Sequence, residues 1–258
     1  MLRVTNTLFD TTPAIIHAGG TARYKPVQLW NKIQTAAFTE PEESFGKHPR
    51  LTFLTCNNGN PAMGLFERSA AHLGVPVVIG GGNRTPWVNA TDKTVTIVEL
   101  LAAVKTKYVC FSDSRDSMLI RSPGHLLKRY LHAFPASPVV FGAEMVCYPR
   151  ADVLKRYEDY RPGAEQGPFK YLNAGCWIGP TELARTVFAR ILALAEATPP
   201  MKRFPWSEQG RIRQLFPKLE GSIDLDYKCE LFQNNVVFHA QPYVRIEPDS
   251  TIASIASN

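Results

Sequence analysis

The chain has 258 residues, of which 45% are hydrophobic and 20% charged; this fits one large α/β domain or two small ones and excludes disordered, collagen-like and coiled-coil proteins. No apolar run approaches the length of a transmembrane helix, so we expect no membrane span. The 29 basic and 23 acidic side chains give a net charge of +6, which suits an anionic ligand, a nucleic acid or no particular partner, since no run of five or six like charges is present.

In chain order, short apolar runs bounded by turn residues alternate with stretches of helical spacing. The predicted strands lie at 51–55, 75–80, 107–112 and 138–143. The predicted helices lie at 61–73, 94–105, 123–134 and 181–197. The near-continuous hydrophobicity of the strands indicates a mostly parallel central sheet buried on both faces and flanked by helices. The less regular second half predicts short strands, some antiparallel, packed beside that sheet.

Two carboxylates follow the predicted strand 107–112 directly, in the sequence Asp113-Ser-Arg-Asp116. Ligand sites in α/β sheets lie at the carboxyl ends of strands, and carboxylates three residues apart on such a turn can converge on one divalent cation. A cation there would bridge phosphate oxygens and offset the charge of a departing diphosphate. The alternative is a helix cap followed by a solvated aspartate.

A histidine follows an apolar stretch near the start of the chain, where Ala-Ile-Ile leads into His17-Ala-Gly-Gly. The glycines at 19 and 20 would let backbone amides approach an anion, and Arg23 or Lys25 would clamp a phosphate. A purely structural histidine is the alternative at this position.

Three glycines at 80–82 precede Trp87, but the stretch has neither a P-loop nor a dinucleotide-binding fingerprint. We interpret the glycines as a loop, whereas Trp87 is well placed to cover a sugar or a base. The segment 171–179 has small residues inside an apolar stretch, which permits close backbone approach. Further along, Ser207 precedes Glu208 and Gln209 and is a candidate helix cap.

Together these segments resemble the glycosyltransferase domain of the procollagen lysyl hydroxylase/glycosyltransferase family, which has a GT-A type fold. The matching motifs are Trp87 with TDKTV, SDSRD at 112–116, AEMVCYP at 143–149, LNAGCWIG at 172–179, SEQ at 207–209 and LDYKCELFQN at 225–234. The segment 9–23, with His17, resembles the last element of the family's domain, although here it stands at the front of the chain. The segment 236–246 resembles the preceding strand pair. This order suggests a circular permutation, which favours His17 over His239 as the third metal ligand.

The resemblance implies roles for individual residues. The metal ligands for Mn²⁺ or Mg²⁺ would be Asp113, Asp116 and His17. The residues at the diphosphate, nucleoside and ribose of the donor would be Gly19, Gly20, Arg23, Thr55, Trp87, Lys93, Ser114 and Arg115. The catalytic residues around the sugar and the acceptor would be Tyr148, Asn173, Glu208 and Gln209.

Three positions depart from the family pattern. Arg115 stands where the family has a tyrosine between its metal aspartates, so an aromatic stack on the base becomes a guanidinium stack or is lost. Arg23 replaces a phosphate-binding lysine and keeps the charge. Ser207 replaces the first residue of an acidic pair, which leaves Glu208 as the base or as the group that stabilises positive charge on the sugar.

We therefore predict a metal-dependent glycosyltransferase that moves a sugar from a UDP-sugar to an acceptor hydroxyl, either on a hydroxylated base in DNA, as in viral modification enzymes, or on a hydroxylysine-like protein residue. The alternative is a non-catalytic sugar-nucleotide or polyanion binding module with the same fold.

We expect a single domain over 1–258, in which 1–33 carries the displaced final strand, 34–50 is a linker or loop and 51–250 is the core. The start of the chain shows no secretory signal, and the five cysteines include no C-x-x-C pair, so we expect a soluble protein of a reducing cytoplasm, including the host cytoplasm for a protein of viral origin. The oligomeric state stays open.

Overall fold

The computed structural model describes residues 2–19, 45–59, 63–149, 152–197, 207–234 and 243–248. The strands are β1 (Leu2–Asn6), β2 (Ile15–His17), β3 (Leu51–Cys56), β4 (Val77–Gly80), β5 (Tyr108–Ser112), β6 (Ser117–Leu119), β7 (Val139–Glu144), β8 (Tyr171–Pro180), β9 (Ile223–Asp226), β10 (Phe232–Asn234) and β11 (Val244–Pro248). The helices are α1 (Leu65–His72), α2 (Asn89–Ala103), α3 (Pro123–Ala133), α4 (Asp152–Asp159), α5 (Thr181–Ala197) and α6 (Glu208–Leu215). Short 3₁₀ helices span Ala164–Gln166 and Phe216–Leu219.

The main sheet has six strands in the order β4-β3-β5-β8-β7-β9. Only β8 runs antiparallel to its neighbours, so the predicted mostly parallel sheet flanked by helices is confirmed. Two parts of the sequence analysis are wrong. The strand β8 lies inside the main sheet rather than beside it, and β4 is an edge strand whose Val78 and Ile79 are exposed, because it pairs only with β3.

The two faces of the sheet carry two hydrophobic clusters, because successive side chains of a strand point to opposite faces. On β5, Phe111 packs with helices α2, α5 and α6, whereas Cys110 packs with α1 and α3. Trp177, which is fully buried, stacks on Phe111 and anchors the first cluster. No helix among the described residues has the length and apolar character needed to cross a membrane.

Two smaller sheets lie outside the main one. The strand β2 pairs in parallel with β10 and antiparallel with β6, which follows the Asp113–Asp116 turn. The strand β1 pairs antiparallel with β11, so Leu2 lies opposite Pro248. Residues 2–19 therefore contact segments from the middle of the chain and from 232–234 and 244–248.

Candidate metal and nucleotide site

The turn that holds Asp113 and Asp116 is fixed from both sides. The Asp113 amide donates to the Gly175 carbonyl at 2.8 Å, and the Ala18 amide donates to the Asp116 carbonyl at 2.7 Å. A strand, β6, follows the turn, so the interpretation as a helix cap is wrong. Because His17 lies opposite Ser117 in the pairing of β2 with β6, the histidine comes next to Asp116.

His17 faces both carboxylates. Its Nε2 atom lies 3.7 Å from Asp113 Oδ2 and 3.6 Å from Asp116 Oδ1. Its other ring nitrogen, Nδ1, lies 2.9 Å from Asn234 Oδ1, and Asn234 donates its own amide hydrogen to the Ala143 carbonyl. That second bond fixes the Asn234 oxygen as the acceptor, so Nδ1 carries a proton, and in the neutral ring Nε2 is the nitrogen whose lone pair a metal ion would take.

The ligand atoms of His17, Asp113 and Asp116 all lie within 4.8 Å of one another. His17 Nε2 is buried and has no hydrogen-bond partner among the described residues. Burial lowers the pKa of His17, but Asp116 and Asp113 outweigh it and raise that pKa to about 9. Two carboxylates and an imidazole with a fixed second nitrogen are ligands that suit a divalent ion such as Mn²⁺, so the residues fit the predicted metal.

A bulge in β8 makes room for the histidine. Opposite β7, the register jumps from Trp177 to Asn173, which leaves 174–176 out of the regular pairing. A Cβ atom on Gly175 would collide with the His17 ring, so this position requires glycine. Bulges commonly redirect the backbone beside functional sites, and this one brings the sheet against the imidazole.

Lys93 connects the turn to helix α6. Its Nζ atom lies 2.6 Å from both Asp113 Oδ1 and Glu208 Oε1, and its side chain is buried. Burial lowers the pKa of Lys93, but the two carboxylates outweigh it and raise that pKa above its ordinary value. Glu208 also accepts from Asn89 Nδ2 at 3.0 Å through its other oxygen. Ser207 accepts from the Gly210 amide, which confirms it as the cap of α6.

A second buried network contains Glu144, a residue that the sequence analysis left without a role although it lies in the AEMVCYP motif. Its carboxylate accepts from Asn173 Nδ2 at 3.0 Å and from Gln209 Nε2 at 2.9 Å. Burial raises the pKa of Glu144 to about 7, against the opposing effect of these two bonds. Gln209 also accepts from the Ala174 amide and donates to the Tyr148 carbonyl, while the Tyr148 side chain is half exposed.

An open pocket of about 300 Å³ adjoins the two aspartates. Its lining residues are Cys56, Asn57, Asn58, Trp87, Asn89, Lys93, Asp113, Ser114, Arg115 and Asp116. Arg115 donates to Asn58 Oδ1 at 2.8 Å across its rim. The sequence analysis missed the three asparagines and Cys56, because isolated residues of these types match no motif.

Two of the predicted donor-site residues that the structure describes, Thr55 and Gly19, are not among the lining residues. Thr55 is fully buried and donates its hydroxyl to the Ser112 carbonyl. Gly19 packs against the His17 ring, where a Cβ atom would lie 2.7 Å from Cε1. Gly20, Arg23 and also His239 lie outside the described residues.

The family described as the PLOD GT domain, a glycosyltransferase domain, matches residues 49–192. The chain belongs to this family. The match confirms both the family and the GT-A type fold that the motifs predicted. Within the PLOD GT domain match lie Lys93, Asp113 and Asp116, whereas His17 and Glu208 lie outside it.

Two known proteins are similar in sequence to this member of the PLOD GT domain family. It is 27% identical over 158 residues to the uncharacterized protein R699 of Acanthamoeba polyphaga mimivirus, which covers 59% of this chain and 30% of that protein. It is 26% identical over 164 residues to the human multifunctional procollagen lysine hydroxylase and glycosyltransferase LH3, which covers 60% of this chain and 19% of that protein. The chain therefore spans less than a third of the length of either relative. The cytoplasmic location stays a prediction.

Proposed function

We propose that the chain transfers a sugar from a UDP-sugar to an acceptor hydroxyl and that a divalent metal ion, Mn²⁺ or Mg²⁺, assists the transfer. The observation that carries this proposal is the buried His17 Nε2 atom, which points at Asp113 and Asp116 while Asn234 holds the opposite nitrogen. When bound by these ligands, the ion supplies positive charge that stabilises the departing diphosphate.

The donor nucleotide would occupy the pocket beside the two aspartates. Trp87 and Arg115 at its edge offer flat surfaces for a base or a sugar, and the asparagines at 57, 58 and 89 offer amides for hydrogen bonding. In this proposal Gly19, Gly20 and Arg23 face the diphosphate, while Thr55 and Ser114 support the nucleoside side from below.

Glu208 would stabilise positive charge that develops on the sugar. Both of its oxygens already accept hydrogen bonds, from Lys93 and Asn89, which favours an electrostatic role over removal of a proton. Lys93 lies between Glu208 and Asp113 and offsets the charge of one of the two carboxylates. The Glu144 network would hold Asn173 and Gln209 in place for the transferred sugar and the acceptor, with Tyr148 at the exposed side.

The acceptor hydroxyl would belong to a hydroxylated base in DNA or to a hydroxylysine-like residue. The net charge of +6 favours DNA, and the similarity to LH3, a procollagen lysine hydroxylase and glycosyltransferase, favours hydroxylysine. Transfer to DNA should weaken steeply with added salt because phosphate contacts release counterions, whereas transfer to a hydroxylysine peptide should not. A salt series with both acceptors separates the two.

We further propose that the order of the segments reflects a circular permutation. Two contacts support it. The His17 strand pairs in parallel with β10, whose FQN sequence ends the last family motif, and Leu2 pairs with Pro248, so the two ends of the described chain are adjacent. Adjacent ends make such a rearrangement tolerable.

The first test is a thermal-shift panel of UDP, GDP and TDP with and without Mn²⁺, followed by UDP release from UDP-sugars. A ligand that binds the folded state raises the melting temperature, so UDP with Mn²⁺ should give the largest shift. UDP binding without any UDP release, in the presence of either acceptor, would favour the non-catalytic binding module. No shift with any nucleotide would overturn the proposed function.

A further inference from the structure

Glu67 is a buried carboxylate beneath the nucleotide pocket. It lies on α1, is 4% exposed, and is not among the residues that line that pocket. Neither a metal ligand role nor a contact with the donor explains its burial. A carboxylate is rarely buried without partners because removal of its charge from water is costly, so its contacts indicate what it does.

The carboxylate joins two separate walls of the pocket. Ser114 Oγ donates to Glu67 at 2.7 and 2.8 Å, and Asn57 Nδ2 donates to Glu67 Oε1 at 2.8 Å. Asn57 follows β3, and Ser114 lies in the turn after β5, between the two aspartates. Through one side chain, α1 therefore ties the ends of two neighbouring strands together.

The backbone around Glu67 reinforces this connection. The Phe66 amide donates to the Ser114 carbonyl at 2.9 Å. Gly64 packs so closely on Ser114 that a Cβ atom there would overlap the serine hydroxyl and carbonyl. On the other wall, Asn57 Oδ1 accepts from the Gly59 amide at 2.8 Å, which orders the start of the 57–59 loop.

We propose that Glu67 is a positioning residue that sets the distance between the two walls and thereby the affinity and base selectivity for the donor nucleotide. This inference rests on the proposed function. The two walls share a second connection, from Arg115 to Asn58, but it is exposed to water. Loss of Glu67 would leave two buried donors unpaired, whereas loss of the exposed connection would leave donors that water can satisfy.

The test compares Glu67→Ala, Glu67→Gln and Gly64→Ala with the wild-type protein in UDP and CDP titrations with Mn²⁺. Glu67→Ala should weaken UDP binding about tenfold or more, because two buried donors lose their acceptor. The preference for UDP over CDP should fall with it. Glu67→Gln should recover part of the affinity, since its carbonyl still accepts one bond. Gly64→Ala should also weaken UDP binding although Glu67 is intact, because the added methyl group displaces Ser114.

In turnover assays, the inference predicts a raised KM for the UDP-sugar with kcat within about twofold, as expected for lost ground-state positioning. Glu182→Ala, at an exposed carboxylate, is the control for loss of one negative charge. If Glu67→Ala and Gly64→Ala both bind UDP with the wild-type affinity and the wild-type preference over CDP, this inference is overturned. The proposed function would not be affected by that result. If Glu67→Ala does not fold, Glu67→Gln and Gly64→Ala decide by the same measurements. No UDP binding by the wild-type protein would overturn the proposed function and this inference together.

Discussion

The core that matches the family and the segments that flank it build different halves of the site. The core, 49–192, supplies Asp113, Asp116 and Lys93, whose positions follow from local chain geometry at the ends of β5 and α2. The flanking segments supply His17 and Glu208, together with the residues that hold them.

The two halves are joined by strand pairing and buried polar bonds rather than by chain continuity. His17 reaches the aspartates because β2 lies between β6 and β10, and Glu208 reaches Lys93 from the start of α6. The core by itself therefore supplies the two aspartates of the proposed metal site but not the histidine that would complete it. Loss of a flanking residue should therefore harm the site as much as loss of a core residue.

The largest effect should come from removing a ligand on either side of this division. We expect His17→Ala and Asp113→Asn each to lower Mn²⁺-dependent UDP release by about a hundredfold or more, because each would remove a ligand of the proposed ion at the departing diphosphate. Initial rates with saturating UDP-sugar measure this. His132→Ala, at an exposed histidine, is the control. If His17→Ala keeps its activity while Asp113→Asn loses it, the flanking segment that carries His17 is not part of the active site.

A smaller effect should follow from Asn234→Ala, which removes the acceptor for His17 Nδ1 and frees the ring to change tautomer. Partners of this kind are typically worth about 10- to 100-fold in metal affinity. Calorimetric titration with Mn²⁺ measures the change. Asn234→Asp keeps an acceptor and should lose less, although it gives up the bond to the Ala143 carbonyl. Equal affinity in the wild-type and alanine proteins would contradict the fixed tautomer.

A pH-dependent stability effect should report on Glu144, where core and flank meet. Its pKa is raised from 4.5 to about 7, so between these values the folded state holds a proton that the unfolded state releases. The contribution of Glu144 to the free energy of unfolding should therefore fall as pH rises through this range, by at most about 1.4 kcal/mol per pH unit. Denaturant unfolding of metal-free protein at several pH values measures the slope.

Because the glutamine in Glu144→Gln cannot titrate, the free energy of unfolding of this variant should depend less steeply on pH than that of the wild-type protein. Asp226, whose pKa burial also raises to about 7, contributes with the same sign and remains in the variant. An identical slope in Glu144→Gln and the wild type would show that Glu144 is not protonated in the folded protein.

The smallest effect should come from reversing the proposed permutation. A chain that joins the adjacent ends through a short linker and begins in the 34–50 segment should fold and bind UDP with an affinity within a few-fold of the original. The pairing of Leu2 with Pro248 is the reason. Calorimetry on both chains makes the comparison. A rearranged chain that does not fold would argue against the permutation.

Much of the fold could be predicted because its strands and helices have strong local signals. The four core strands were predicted within about two residues, and Pro123 and Ser207 marked helix starts. The position of β8 inside the main sheet was not predictable from its own residues, since an apolar stretch of ten does not indicate its neighbours. The exposure of β4 was missed because its apolar sequence alone does not show that the strand lies at the edge of the sheet.

Within the site, the motifs identified the residues that carry charge, but not the residues that hold them. Asp113, Asp116 and His17 were named from patterns, and the structure brings them together. Glu67, Asn57 and Glu144 were missed because their roles depend on contacts between distant segments. Such contacts follow from packing rather than from spacing along the chain.

The central claim is that one divalent ion binds between His17, Asp113 and Asp116. Electron paramagnetic resonance of free Mn²⁺, titrated with the wild-type protein and with His17→Ala, tests it most directly. The account predicts one bound ion per wild-type chain and a large loss of affinity in the variant. Equal binding by the two proteins, or no binding by the wild type with or without UDP, would contradict it.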